Sequence, residues 1–470
     1  MAEAAAAPSV AQRWWAPRAW LAGRWRESVA LDVTADGTWA HVAPDTPRTP
    51  DMTALPGPVL PALVNAHSHA FQRAFVGLAE RRDGAHDDFW SWRDRMYGVA
   101  LTITPQRLQA VAMQLYRELL RGGYTQVCEF HYLHHAPDGS RHADPLAMSR
   151  ALVQAAADSG IGLTLLPVLY ERAGFDAAGL RDDQRRFATT VDDVLALRDG
   201  IRALQVPHVS AGVAIHSLRA AKASSIVELV ARTAGDAAPL HIHIAEQTGE
   251  VDDCVNASGL RPIDWLARHV ALDSRWSLVH ATHATPAEIE TVAATGAGVV
   301  LCPSTEANLG DGLCDLPRWL SSKRSSATLL DPHGGRAGRS PALGALSTGT
   351  PLSIGSDSHV TRDWREELRL LEYGQRLILR RRNVAAAPEA DAPSTAARLF
   401  QRLLAGGAAA AGFGEWGLQR GARADLLVID AADPALADCD PEHLLDTLVF
   451  SSPTRAFLQT MVGGVIRESN

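Results

Sequence analysis

Two histidines one residue apart, His67 and His69, close the apolar run Leu60-Pro-Ala-Leu-Val-Asn-Ala-His-Ser-His69. Alternate side chains of a strand share a face, so a strand that ends this way aims two imidazoles at one point. That arrangement suits a divalent metal. Two surface histidines would have the same spacing, so the pair needs company, and three further segments supply it. Leu240-His-Ile-His-Ile-Ala-Glu246 offers His241, His243 and Glu246, and Leu278-Val-His-Ala-Thr-His283 offers His280 and His283. Ile354-Gly-Ser-Asp-Ser-His359 offers Asp357 and His359. Taken singly, a histidine at a strand end is more often a hydrogen-bonded structural residue. Asp357 alone could cap a helix, and Glu246 alone could be a solvated residue at a helix start. Four such ends coinciding would gather imidazoles and a carboxylate into a hydrolytic metal site.

The elements that must position these residues follow from periodicity. Apolar runs of strand length occur at 61–66, 124–130, 162–169, 211–215, 240–245, 277–281, 297–302 and 351–355. Helix-permissive stretches separate them, such as 105–121, which starts at Thr104-Pro105 and stops at Gly122-Gly123. Eight strands alternating with helices predict an α/β fold, a (β/α)8 barrel of TIM type, whose active site lies at the carboxyl ends of the strands. A doubly wound sheet is the alternative, but it would bring a glycine-rich phosphate loop that the sequence lacks. The chain ends read differently. Short strand-like runs and an Asp36-Gly37 turn fill 18–60, and similar runs occupy 424–430 and 456–466. They predict a small β-sandwich domain built from residues 1–60 and 415–470, with 61–414 forming the barrel. The Ser/Gly/Arg/Pro-rich stretch 321–350 is a long connection before the last strand, and the Ala/Pro-rich stretch 384–396 reads as a solvated linker.

Composition sets outer limits. A 470-residue chain with 46% hydrophobic and 21% charged residues has the balance of a soluble globular protein with a large core. A net charge of -8 argues against an electrostatic nucleic-acid binder. The five cysteines show no C-x-x-C spacing, which points to reduced thiols in a cytosol. No apolar run approaches the ~18 residues of a membrane span, and the first eight residues read as a frayed tail without the marks of a secretion signal. A cytoplasmic protein with neither membrane nor nucleic-acid partners is expected.

His-x-His after strand 1, histidines after strands 5 and 6 and aspartate after strand 8 resemble the signature of the amidohydrolase superfamily. The resemblance covers nearly the whole chain, and Gly421-Ala-Arg-Ala-Asp-Leu-Leu-Val-Ile-Asp430 is similar to that superfamily's return strand into the small domain. Asn65-Ala-His-Ser-His-Ala-Phe-Gln-Arg-Ala-Phe-Val-Gly-Leu-Ala-Glu80, with the 279–283 and 355–359 segments, resembles the formimidoylglutamate deiminase family of histidine degradation. The resemblance implies that His67, His69, His243 and Asp357 bind one divalent metal, zinc above others. His241 shares a face with His243 and is the alternative ligand; the family's His-x-x-Glu spacing to Glu246 favours His243. Glu246 is implied as the proton shuttle, His280 as the catalytic histidine near the metal, and Asp357 as a proton acceptor. The strand 4 end, Ala214-Ile-His-Ser-Leu-Arg219, lacks the lysine of two-metal members, which favours a single ion.

The implied reaction is hydrolysis of N-formimino-L-glutamate to N-formyl-L-glutamate and ammonia. Zinc lowers the pKa of bound water toward ~7. An acid at the leaving nitrogen lets ammonia depart in place of an amide anion. A substrate with two carboxylates needs cations, and arginine binds carboxylate in a fork. Arg219 and His216 at the strand 4 end and Arg93 in Trp90-Ser-Trp-Arg93 are the candidates, with Gln72 and Tyr132 at family positions that contact substrate. Arg93 could instead be a surface arginine, and Gln72 and Tyr132 loop and packing residues. Two other functions fit the sequence: a guanine, 8-oxoguanine or triazine-type deaminase, and an inactive barrel serving as a binding protein. An aromatic base would call for stacking residues and few arginines at the mouth. Family members are often dimers, so a homodimer is the expected assembly.

Overall fold

The computed structural model describes residues 9–82, 87–323, 349–451 and 456–468. The expected tail at 1–8 and most of the 321–350 connection lie outside them. Eight successive parallel strands form the middle of the chain: Leu63–Ser68, Tyr124–His131, Gly162–Leu169, Val213–Ile215, Leu240–Ile244, Trp276–His280, Gly298–Leu301 and Leu352–Ile354. They are barrel strands 1 to 8 below. Each pairs in parallel with its predecessor. Buried on both faces, they read as continuous apolar runs, which is why their positions are visible in the sequence. A short strand, Val209–Ala211, precedes strand 4 and pairs with strand 3.

Strands 8 and 1 are joined by a parallel bridge between Ser68 and Asp357. The Asp357 N–H donates to the His67 carbonyl at 3.0 Å, and the His69 N–H donates to the Asp357 carbonyl at 3.2 Å. The seam that closes the barrel therefore runs through three of the residues singled out by their chemistry. Gly355 allows the approach, because a Cβ there would stand 2.5 Å from the His67 Cβ and 2.8 Å from its carbonyl oxygen.

Helices pack around the strands as the amphipathic pattern requires. Pro105–Arg121 buries Leu108, Ala112, Leu115, Tyr116 and Leu119, one face of a helix, and the Thr104 hydroxyl caps it by accepting the Arg107 N–H at 3.2 Å. The stretch 384–396 is solvated only in part: Pro388, Glu389, Ala390, Asp391 and Pro393 are exposed, but the segment is folded. Ala385, Ala387 and Ala396 are buried, and the Glu372 carboxylate accepts the N–H groups of Val384 and Ala385 at 2.8 and 3.0 Å. Alanine is small enough to pack against a neighbouring helix, and a buried acid satisfies the turn's donors, so a low-complexity composition here conceals a folded segment.

Both chain ends enter one second sheet. Its strands run in the order Val465–Glu468, Phe457–Val462, Leu426–Ile429, Val59–Leu60, Val10–Leu21, Arg24–Thr34, Trp39–Ala43, with Thr53–Ala54 alongside Val10–Leu21. The sheet curls over its own core, which includes Ala16, Val29, Leu31, Trp39, Leu426, Val428 and Met461, and Thr38 bridges Arg423 across the fold. No helix among the described residues is long and apolar enough to cross a membrane. All five cysteines are free thiols, four of them buried.

Candidate active site

The carboxyl ends of strands 1, 5, 6 and 8 converge. The His67 Nε2 lies 3.1 Å from the His69 Nε2 and 3.0 Å from the His243 Nε2. An Asp357 carboxylate oxygen stands 3.5 Å from the His67 Nε2 and 3.3 Å from the His69 Nε2. All four side chains are buried. The His69 Nδ1 donates to the Phe130 carbonyl and the His243 Nδ1 to the His216 carbonyl, each at 2.9 Å. A carbonyl can only accept, so each ring carries its proton on Nδ1 and turns a bare Nε2 lone pair inward. The His67 Nδ1 is buried without a partner. Even a proton on the His67 Nε2 could serve only one of two neighbouring lone pairs. A cation between them satisfies all three. Ligand atoms about 2.1 Å from a tetrahedral zinc stand roughly 3.4 Å apart, close to the spacing here. Burial holds His67, His69 and His243 below the ordinary histidine range, and so neutral, the form that binds metal.

His241 faces the same barrel interior as His243 but two residues deeper, where its Nε2 meets the carbonyl of Ala410 at 2.8 Å. A shared face is not a shared depth, and the helix end that plugs the barrel takes His241. His359 is likewise consumed by structure, its ring 3.0 Å from both the Ser356 hydroxyl and the His69 carbonyl. His283 is absent from the cluster of donor atoms at the ligand set.

His280 links the ligand set to a group of acids. Its Nε2 lies 3.7 Å from Asp357 and 3.6 Å from Glu246, and its Nδ1 lies 3.3 Å from Glu306. Burial pushes the Glu246 carboxyl up, with Asp357 and Glu250 adding to the effect and His280 opposing it. Non-glycine residues with positive φ gather here: Ala245, His280, Ala281, Asp357 and His359. Each conformation costs on the order of 1–3 kcal/mol, and such strain collects where function fixes geometry.

The sequence-predicted contact residues surround the same place. Arg219 is buried and Arg93 nearly so, and both guanidinium groups stack on the Trp90 ring, at 5.1 and 4.7 Å from its centroid. Arg219 makes no hydrogen bond or ion pair with any described residue, and the buried Arg93 Nε has no hydrogen-bond partner. The His216 ring packs 5.2 Å from His243 and 4.3 Å from Tyr170. Tyr132 lies 5.1 Å from His69 and its hydroxyl accepts the Gln72 amide at 3.0 Å, while the Gln72 Oε1 is left buried without a partner.

Several residues escaped the sequence reading. Trp90 joins the two arginines. Glu129, on strand 2, accepts the Ser68 hydroxyl at 2.7 Å and the Ala70 N–H at 2.5 Å, which locks the His-x-His segment; burial raises its carboxyl to about 8. Glu306 and Asp311 follow strand 7 in Pro303-Ser-Thr-Glu-Ala-Asn-Leu-Gly-Asp-Gly312. The rule that found Glu246 and Asp357, polar residues just past a strand end, would have found Glu306 after strand 7, whereas Glu129 lies inside strand 2 and Asp311 ten residues beyond strand 7.

A closed parallel barrel with three neutral imidazoles and a carboxylate at its carboxyl face is a scaffold for metal-dependent hydrolysis. The family model described as Amidohydrolase family matches residues 59–467, and the chain belongs to that family. It is 44% identical over 456 residues to the formimidoylglutamate deiminase of Pseudomonas aeruginosa, covering 96% of this chain and 94% of that protein. The structure of an amidohydrolase from Brucella melitensis superposes with a TM-score of 0.85 at 37% identity, over 98% of this chain and 96% of that one. A zinc-bound adenosine deaminase from Xanthomonas campestris shares the fold, with a TM-score of 0.74 at 21% identity over 98% and 94% of the two chains.

Proposed function

We propose that this hydrolase converts N-formimino-L-glutamate and water to N-formyl-L-glutamate and ammonia. The observation that carries the reading is Arg219: a guanidinium on Trp90, near the Glu246 and Glu250 carboxylates, that makes no hydrogen bond or ion pair with a described residue. A guanidinium fork whose donors the chain leaves unclaimed is placed to bind a carboxylate that arrives with the substrate. Arg93, on the same tryptophan, supplies a second cation for a second carboxylate. The 44% identity to a formimidoylglutamate deiminase supports the same substrate.

His67, His69, His243 and Asp357 would hold one zinc ion, which when bound acidifies a water molecule toward neutrality. The rest falls to the chain. Arg219, Arg93 and His216 bind the glutamate carboxylates and orient the formimino carbon toward the ligand set. Glu246, pushed up to about 7 by burial, delivers a proton to the terminal nitrogen so that it leaves as ammonia. Asp357 accepts a proton from the attacking water, and His280, 3.7 Å from Asp357 and 3.6 Å from Glu246, positions and stabilises the oxygen between them. Gln72 turns its unpartnered amide oxygen to the substrate, with Tyr132 fixing the side chain.

Elemental analysis of purified protein is expected to find about one equivalent of zinc per chain. His67→Ala should lose the metal and the activity, whereas His241→Ala should retain the metal. Two equivalents in the wild type, or full metal in His67→Ala, would contradict the ligand set. The substrate itself is tested by ammonia release from formiminoglutamate.

A further inference from the structure

Asp311 has no role in the scheme above, yet its carboxylate lies in the same pocket. It is buried, and one of its oxygens lies within 4.8 Å of both the Glu246 carboxylate and a His280 ring nitrogen. The Gln247 side-chain amide donates to its Oδ1, while its Oδ2 is buried with no hydrogen-bond partner. Its backbone is fixed as well: the Asp311 N–H donates to the Glu306 carbonyl at 2.9 Å, in a turn where Gly310 and Gly312 both take positive φ. A carboxylate oxygen held this firmly and left unsatisfied is the counterpart, for a cation, of what Arg219 is for an anion.

The substrate read above, on which this inference rests, carries such a cation. A formamidine is a strong base and is protonated at neutral pH, so its terminal nitrogen bears two N–H groups and a share of positive charge. The arginines take the opposite end of the molecule. We propose that Asp311 is a specificity-determining residue whose unpartnered Oδ2 receives an N–H group of the substrate's amidinium. The reaction R–NH–CH=NH2+ plus H2O gives R–NH–CHO plus NH4+. The bond from carbon to the terminal nitrogen breaks, the carbonyl forms, and the positive charge leaves on ammonium. Burial, with Glu246 adding to it, pushes the Asp311 carboxyl up to about 9; an amidinium beside it favours the ionised form, a partnership that the neutral formyl product does not offer. Asp311 thereby separates amidines from amides, a choice that the ligand set and the arginines do not make.

The test compares two unreactive glutamate derivatives by calorimetry on the zinc-loaded protein: N-amidino-L-glutamate, a guanidinium, and N-carbamoyl-L-glutamate, its neutral urea counterpart. Wild type is expected to bind the guanidinium at least tenfold more tightly than the urea. Asp311→Asn should erase that preference through loss of guanidinium affinity alone, with urea affinity and zinc content unchanged. If Asp311→Asn does not fold, Gln247→Met, which frees the carboxylate from its amide, should weaken the guanidinium selectively. A preference that survives either change, or an equal loss for both ligands, overturns the assignment. Failure of wild type to bind either derivative overturns the glutamate reading and this assignment with it.

Discussion

Replacing Glu246 by glutamine is expected to leave zinc bound and to lower kcat on formiminoglutamate by on the order of 10²-fold or more, the usual size of a general acid–base contribution. The carboxyl is not among the proposed metal ligands and lies one imidazole away from them, 3.6 Å from His280. It is buried, and burial pushes its carboxyl up to about 7, so that it can give and regain a proton near neutral pH. A proton held there serves the nitrogen that leaves, whereas glutamine keeps the shape and loses the proton. The effect should fall on kcat more than on KM, because the proton is needed most as the C–N bond breaks. Unchanged turnover would show that another group protonates the leaving nitrogen.

Arg219→Met is expected to reduce kcat/KM for formiminoglutamate by roughly 10²-fold or more, since losing one partner of a buried charge pair costs about 2–5 kcal/mol. Methionine retains the apolar stem against Trp90, so packing is largely kept while the fork of donors is removed. A small formamidine without carboxylates should be a poor substrate for both proteins and should scarcely register the change. That control separates lost recognition from a disturbed site. Equal activity of wild type and variant on formiminoglutamate would remove Arg219 from the carboxylate clamp.

Much of the fold was legible because parallel barrel strands are buried on both faces and leave uninterrupted apolar runs. The convergence of His67, His69, His243, Glu246, His280 and Asp357 on one place was legible because the carboxyl ends of barrel strands meet at one face. What local pattern cannot carry is depth and partnership. His241 and His243 have identical spacing rules, and only the helix end at Ala410 distinguishes them. Trp90 and Arg93 lie on a helix far from the strands in sequence, and their meeting with Arg219 is a tertiary event. The stretch 384–396 has the composition of a linker and is folded because Glu372, on a neighbouring helix, satisfies its backbone. Asp311 was overlooked because it lies ten residues past the end of strand 7, and the segment between contains no histidine.

The most direct measurement of the central claim is ammonia release by the zinc-loaded wild type against formiminoglutamate, formiminoaspartate and guanine, with N-formyl-L-glutamate identified as the product of the first. Formiminoglutamate is expected to give the highest kcat/KM of the three, and guanine is not deaminated at a comparable rate. Faster deamination of guanine than of formiminoglutamate would contradict that claim, leaving the barrel and its metal chemistry with a different substrate.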